Sequence, residues 1–260
     1  MKILVIIKKT PDTETKIRLA SNGQSIDHAE TKFIINPYDE FAIEEALQIK
    51  EKEGGEVVIA SFGDPDTKEL IIKGLAMGAD RGLLISNEGL ENADSLLISK
   101  VLKGAVESES PDLVLCGKQA IDDDNMHVGP MLAELLGWPH VNVVTKLSLE
   151  GGRATAEREI EGGQVEVYDL ALPAVIGANK GLNTPRYASL PGIMKAKRKP
   201  FESKLPADIG VDISSLNSKA VITKFTSPPE KPPGKVFQGE AVAAMVDKVV
   251  NLLREEAKVI

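Results

Sequence analysis

The chain has 260 residues, with 31 Lys and Arg against 39 Asp and Glu, giving a net charge of -8. That balance argues against nucleic acid and anionic membranes as main partners, since both reward a basic face. No apolar run approaches the ~20 residues that span a bilayer, and the single Cys116 can form neither an internal disulfide nor a Cys-x-x-Cys pair, so any electron chemistry must come from a bound cofactor.

Ile3 to Ile7 is a continuous apolar run, which predicts a strand buried on both faces. It is too short for a signal-peptide core and no small-residue cleavage site follows, so we expect a cytoplasmic protein with no membrane insertion. Lys8-Lys9-Thr10-Pro11-Asp12 forms the loop at its carboxyl end, where the lysines either meet phosphate or only solubilise the strand end. Residues 13–35 read as an excursion, with a turn signal at Asn22-Gly23 and a return to the core at Phe33-Ile34-Ile35. Asn36-Pro37-Tyr38-Asp39 opens a helix that runs to Lys52 and stops at Gly54-Gly55, with Pro37 and acids early and lysines late. A strand at Val57–Ser61, a loop over 62–66, a helix from Thr67 to Met77, a strand at Gly82–Ile85 and a helix from Asp94 to Val106 follow.

Asp112 to Cys116 is the next strand, and Gly117 marks where the backbone leaves it. The loop Lys118 to Asn125 then feeds a helix with Val128, Met131, Leu132, Leu135 and Leu136 at helical spacing. Such a loop, between a parallel strand and a helix N-terminus, is where open α/β sheets bind nucleotides. Asp122, Asp123 and Asp124 would repel a phosphate, so we expect them to cap the helix, take ribose hydroxyls or face solvent. Neither Gly-x-Gly-x-x-Gly nor a P-loop occurs at any crossover, so a nucleotide would be held by a different loop set.

Beyond Trp138, read as helix-end packing, the pattern changes to alternating segments at Lys146–Leu149, Arg153–Glu159 and Gln164–Leu170, which predict antiparallel edge strands. Pro173 to Gly177 returns to the sheet. The fold class is therefore α/β, a doubly wound, mostly parallel, Rossmann-like sheet with antiparallel edge strands and a C-terminal extended arm ending in a helix. After Asn179, Leu190, Ile193 and Met194 stand in a proline-punctuated loop ahead of Lys195, Lys197, Arg198 and Lys199. An apolar anchor with a charged rim is a recognition pattern. Residues 200–239 carry few apolar runs, and the helix over about 239–258 is amphipathic, which suits an arm laid on a partner.

Together these pieces resemble the β (small) subunit of electron transfer flavoprotein. The resemblance rests on Asn36-Pro37-Tyr38-Asp39 with Glu44-Glu45-Ala46, on Gly117-Lys118-Gln119-Ala120-Ile121-Asp122-Asp123-Asp124, and on Leu182-Asn183-Thr184-Pro185-Arg186-Tyr187 continuing through Ser189 to Lys197. It implies a heterodimer with a larger α subunit that holds most contacts to a redox-active FAD, and an AMP of structural role in this subunit. The AMP would sit against Ile6, Asn36, Asp39, Phe62, Asp122, Asp123, Asp124, Asn125, Met126, His127 and Val128. Tyr187, Leu190, Ile193, Met194, Lys195 and Lys197 would form the recognition loop for acyl-CoA dehydrogenases, with a quinone oxidoreductase as acceptor. The implied parts are a nucleotide-binding domain over 1–180, the recognition loop over 181–200, and an arm and helix over 201–260 that wrap α. No residue is expected in acid–base catalysis or as a metal ligand; His127 would stack on adenine or meet a phosphate.

Two departures bear on the ligand. Met126-His127-Val128-Gly129 stands where many AMP-binding members have Asn-Gln-Thr-Gly. Val128-Gly129-Pro130 is shared with electron-bifurcating relatives, whose β subunit holds a second FAD that takes hydride from NADH, but Asp123 replaces their glycine. The recognition string resembles the non-bifurcating group, which favours AMP. A nucleotide-sensing protein that dimerises through its arm is the rival from another class.

Overall fold

The protein is described here by a computed structural model covering residues 1–260 apart from Asn22, Gln24, Glu30 and Pro232. The expected turn at Asn22-Gly23 falls partly outside the described residues. Two compact units are present, Met1–Phe225 and Thr226–Ile260.

In chain order the first unit begins with β1 (Lys2–Ile6), β2 (Lys9–Pro11), β3 (Phe33–Ile35), α1 (Pro37–Glu53), β4 (Glu56–Gly63), α2 (Thr67–Met77) and β5 (Arg81–Ser86). It continues with α3 (Ser95–Glu109), β6 (Leu113–Gly117), α4 (Val128–Leu136), β7 (His140–Glu150), β8 (Arg153–Glu159), β9 (Val165–Ala171), β10 (Ala174–Ala178), α5 (Leu190–Ala196) and β11 (Phe201–Lys204). The second unit contains α6 (Val242–Glu255).

Nine strands form one sheet in the order β11-β5-β4-β1-β6-β10-β7-β8-β9, and β2 and β3 pair separately. The strands from β11 to the first half of β7 run parallel, while β8 and β9 add antiparallel. β7 merges two segments that the sequence pattern separates. Its first half pairs with β10 and its second with β8; the first ladder slips between Val141 and Val144, where Val143 sits at φ 64, and the second between Val144 and Lys146.

The central strands are apolar throughout because alternate side chains serve opposite layers. Ile3, Val5, Ile59, Leu113, Leu115 and Ile176 pack with Ile43, Leu47, Ile71 and Leu75 of α1 and α2. Leu4, Val58, Leu83, Ile85 and Val114 pack with Leu97, Val101, Leu102 and Leu132 of α3 and α4, and Trp138 packs at the edge of that second layer, as a helix-end residue should. This is a three-layer α/β/α unit with the antiparallel strands on one edge, as expected.

Three local readings change. Leu190–Ala196 is a helix and not a loop: Ser189 caps it by accepting from the Gly192 N–H at 3.1 Å, and Pro191 falls in its first turn, where a missing N–H costs nothing. Phe201–Lys204 returns to the sheet beside β5, and Asp94 fastens the loop beyond by accepting from the Ala220 N–H at 3.0 Å while its other oxygen caps α3 at Leu97 N–H, 2.9 Å. The arm expected from residue 201 therefore begins inside the first unit. Lys9–Pro11, expected in a loop, pairs with β3.

At the end of the sheet away from the strand carboxyl termini, Glu109 of α3 joins three strands. It accepts from Arg81 of β5 at 3.0 Å and pairs with Lys2 of β1 at 2.7 Å, and Arg81 also donates to Glu56 of β4 at 3.2 Å. The Arg81 bonds, with Lys2, outweigh burial and hold the Glu109 carboxyl down at about 2, against 4.5 for an ordinary glutamate. A carboxyl depressed in the folded state stabilises above the unfolded value, and that contribution is lost as pH falls from about 4.5 to about 2. Glu109→Gln should lower stability at neutral pH and flatten the acid limb of a denaturation profile over that window; an unchanged limb would assign acid sensitivity elsewhere.

Candidate functional site

The connections reverse direction between β1 and β6. From β1 the chain proceeds to β4 and β5 on one side, while β6, reached next, lies on the other and leads toward β7 and β10. A crevice opens at the carboxyl ends of these strands, the general position for a ligand in an open α/β sheet.

The crevice is lined by Ile6, Asn36, Asp39, Phe62, Asp123, Asn125, Met126, His127 and Val128 among the residues singled out from the sequence. Asp122 and Asp124 are not on its wall. Sequence reasoning missed Ser95, Ile98 and Leu102, which reach it from α3; Cys116 to Ala120, at the end of β6 and the start of the expected loop, line it as well. The spacing of Ile98 and Leu102, four apart on a helix following a strand, is the signal that could have found them, although it reads equally as core.

Asp39 is the centre of this construction. One carboxylate oxygen accepts from the Lys8 N–H at 2.7 Å and the other from the Gly117 N–H at 2.8 Å, so a single side chain of α1 closes the ends of β1 and β6. Burial pushes its pKa up to about 7, opposed by those two bonds, by Asn36 and by the charge of Lys8. A Cβ on Gly117 would lie 2.5 Å from the carboxylate and 2.9 Å from the Tyr38 carbonyl carbon, so only glycine admits α1 this close. Asn36 donates to the Gln119 carbonyl at 2.8 Å and accepts from the Ile121 N–H at 3.2 Å. Both residues therefore hold the loop, with their polar atoms engaged by backbone.

The acids do not cap α4. Lys8 bridges Asp122 and Asp123 at 2.8 and 3.0 Å, Asp124 accepts from Gln119, and Asp123 also accepts from the Asn125 N–H at 3.2 Å. Lys8 is raised by those two aspartates against the lowering effect of burial. Lys9 is likewise engaged, by Asp64 and over the Phe33 ring. Asp124 and Met126 sit at φ 51 and 57, a left-handed backbone that these residues rarely adopt. His127 stands at the start of α4 without a side-chain cap, leaving the first-turn N–H groups for another acceptor. Gly129 lets that helix start approach β6, since a Cβ there would meet Cys116 Sγ at 3.3 Å. Cys116 itself is inert: burial and then Asp39 push its thiol up to about 12.

Beside α2 lies an apolar surface. Tyr187, Leu190 and Met194 are 98, 79 and 76% exposed, with Ile193, Lys195 and Lys197 also facing solvent. Thus the residues expected to form a recognition loop make up one short exposed helix and its approach, while the crevice residues come together elsewhere on the same unit.

Sheet order, switch-point crevice and uncapped helix start define the class: a doubly wound, Rossmann-like α/β protein. A family profile described as Electron transfer flavoprotein domain matches residues 25–208. The chain is 44% identical over 261 residues to Electron transfer flavoprotein subunit beta of Bacillus subtilis, covering 100% of both chains. It is 43% identical to the protein of that name from Bradyrhizobium diazoefficiens, over 96% of this chain and 98% of the relative, and 40% identical to the one from Homo sapiens over the same shares. The chain belongs to the electron transfer flavoprotein family, as a β subunit.

Asp39→Asn tests the closure directly, because an amide offers one acceptor for two buried N–H groups. We expect a loss of about 1–3 kcal/mol in denaturant unfolding. The carboxyl's proton is held more tightly folded than unfolded between its ordinary 3.8 and about 7, so its ionisation costs stability as pH rises through that window, a dependence the variant should remove.

Proposed function

We propose that this chain is the β subunit of a heterodimeric electron transfer flavoprotein that carries electrons from acyl-CoA dehydrogenase-type flavoenzymes to a quinone oxidoreductase or similar acceptor. It acts in the cytoplasm as a carrier and turns over no substrate of its own. AMP occupies the switch-point crevice in a structural role, and FAD is held mainly by the α subunit.

The observation that carries the reading is the crevice itself, set at the switch point of a chain of this family. Its walls suit a mononucleotide. Ile6, Phe62, Ile98, Leu102 and Val128 give an apolar wall for adenine, and the uncapped start of α4 offers backbone N–H groups to one phosphate. Asp123 stands on the same wall, and with Lys8 already paired to it and to Asp122 the site has little to offer a second phosphate. This is the support for AMP over a second FAD. When bound, the shared flavin supplies the one-electron chemistry. This chain's residues orient, exclude water and dock: the loop over 118–128 closes on the nucleotide, and α5 meets the dehydrogenase through Leu190 and Met194 with lysines at the rim.

The proposed parts are three, over 1–180, 181–200 and 201–260, whereas the chain divides once, after Phe225. The nucleotide-binding domain lies in the first unit, as does the recognition segment over 181–200. Of the arm over 201–260, residues 226–260 form a unit by themselves, in which Lys235 pairs with Glu256 and α6 exposes Val242, Val246, Val249 and Leu253 at helical spacing. No helix among the described residues is long and apolar enough to cross a membrane, and an amphipathic stripe of this kind suits a groove on a protein partner.

Two measurements test the reading. Chromatography with mass detection on the denatured, co-expressed αβ complex should yield equal amounts of FAD and AMP. Two FAD without AMP would replace the carrier by a bifurcating subunit with a redox-active crevice, and a triphosphate would point to the sensing rival. Val246→Asp combined with Leu253→Asp should abolish co-purification of α while leaving this chain folded by circular dichroism; an intact complex would reject the role given to α6.

A further inference from the structure

The segment before and after the exposed helix α5 is tied down more heavily than a surface strap requires. At its start, Arg186 donates to both oxygens of Glu44, Nε at 2.7 Å and Nη2 at 2.9 Å, and its other edge reaches Glu51 at 3.1 Å. Glu44 is only 3% exposed and also accepts from the Arg186 N–H at 3.2 Å and from Gln48 at 2.8 Å. Burial would raise the Glu44 carboxyl, yet Arg186 and Gln48 hold it below its ordinary value. Three residues earlier, Asn183 bridges the Phe41 carbonyl at 3.0 Å and Glu45 at 2.9 Å. At the other end, Lys199 donates to the Leu75 carbonyl at 2.9 Å and to the Ala79 carbonyl, so its ammonium caps the C-terminus of α2. Between the two anchors, Ala196 is buried, and Gly192 lies so close to α2 that a Cβ would stand 2.4 Å from the Ala76 carbonyl.

A seven-residue helix cannot hold its own shape in water. Leu190 and Met194 are largely exposed and gain little from the rest of the chain. Only Ala196 and the close approach of Gly192 seat the helix on α2, so much of its order must come from the anchors on either side. We infer that Arg186 on Glu44 and Glu51, and Lys199 on the end of α2, form a two-ended clamp that pre-orders α5 for its protein partner, which makes both cations positioning residues for electron-transfer docking without touching that partner. The inference rests on the docking role proposed above. A pre-ordered anchor binds without the entropic cost of folding a loop on contact, so the clamp acts on the encounter affinity and leaves the electron-transfer step within the complex alone.

The test uses the αβ complex with a reduced acyl-CoA dehydrogenase as donor. The double variant Glu44→Gln with Arg186→Gln removes both partners and so leaves no buried charge unpaired; Lys199→Met releases the other end. Each should accelerate amide hydrogen exchange over residues 188–198 and not over α3, and raise KM for the dehydrogenase by roughly threefold or more while kcat holds. Leu190→Ala reads docking alone: it should raise KM by roughly tenfold with exchange unchanged. Unaltered exchange in both clamp variants overturns the clamp, as does faster exchange with unaltered KM where Leu190→Ala still raises it. If Leu190→Ala leaves KM as it was, the docking reading falls, and the positioning role falls with it.

Discussion

The structure turns on the buried carboxylate of Asp39. An open parallel sheet sends its connections to opposite sides where their direction reverses, and N–H groups at the carboxyl ends of β1 and β6 need acceptors from outside the ladder there. Asp39 supplies both acceptors from the first turn of α1. The same contact fixes how closely α1 lies on the sheet, because Gly117 leaves room only for that carboxylate and the Tyr38 backbone. Asn36, one turn earlier, then hangs the 118–121 loop from α1 through two backbone bonds. Crevice width, loop position and helix height are thus set by one short run of α1 and the residue before it.

The two ends of the sheet use charge differently. Around Glu109, four charged side chains with neighbouring partners join β1, β4, β5 and α3, and their ion pairs are saturated within the fold. At the crevice the pairs are as short but their cation is more exposed: Lys8, which reaches Asp122 and Asp123, is 42% exposed, against 16% for Arg81. Pairs of the second kind contribute little to stability and respond to salt and to ligands. The left-handed Asp124 and Met126 belong to the same loop, so unusual backbone and exposed charge pairs lie together there.

Continuous apolar runs made the parallel strands legible, and Gly, Pro and the early acids marked the helix ends; α2 runs over Thr67–Met77 in both readings. β11 was not legible because Phe201-Glu202-Ser203-Lys204 is a polar edge strand between prolines, with nothing periodic to distinguish it from arm. α5 was read as loop because Pro191 and Gly192 are breakers in most contexts, whereas here proline falls in the first turn and glycine permits contact with α2. At the site, the loop after β6 was found because its residues are consecutive. Ile98 and Leu102 were not, since residues that belong to one wall only in three dimensions look like core in one. Asn36 and Asp39 were found as motif, but their role as supports of the loop follows only from bonds spanning some eighty residues of chain.

α1 serves both surfaces at once. Its N-terminus holds the crevice through Asn36 and Asp39, and Glu44, Glu45 and Glu51 along its side hold the strap that leads into α5. Two strings that lie about 140 residues apart in the sequence, Glu44-Glu45 and Asn183 to Arg186, are therefore the two halves of a single contact. The helix can bear both loads because its opposite side is fixed: Ala42, Ile43, Ala46 and Leu47 are fully or almost fully buried against β1, β4 and β6, in a layer close-packed enough that the helix has one seat. Small residues at two of those positions bring the helix axis close to the sheet, which is what lets a short aspartate reach two strand ends. Packing beneath α1 thus decides the geometry of a crevice at its end and of the strap that leads from its side into α5, whose own seat is α2.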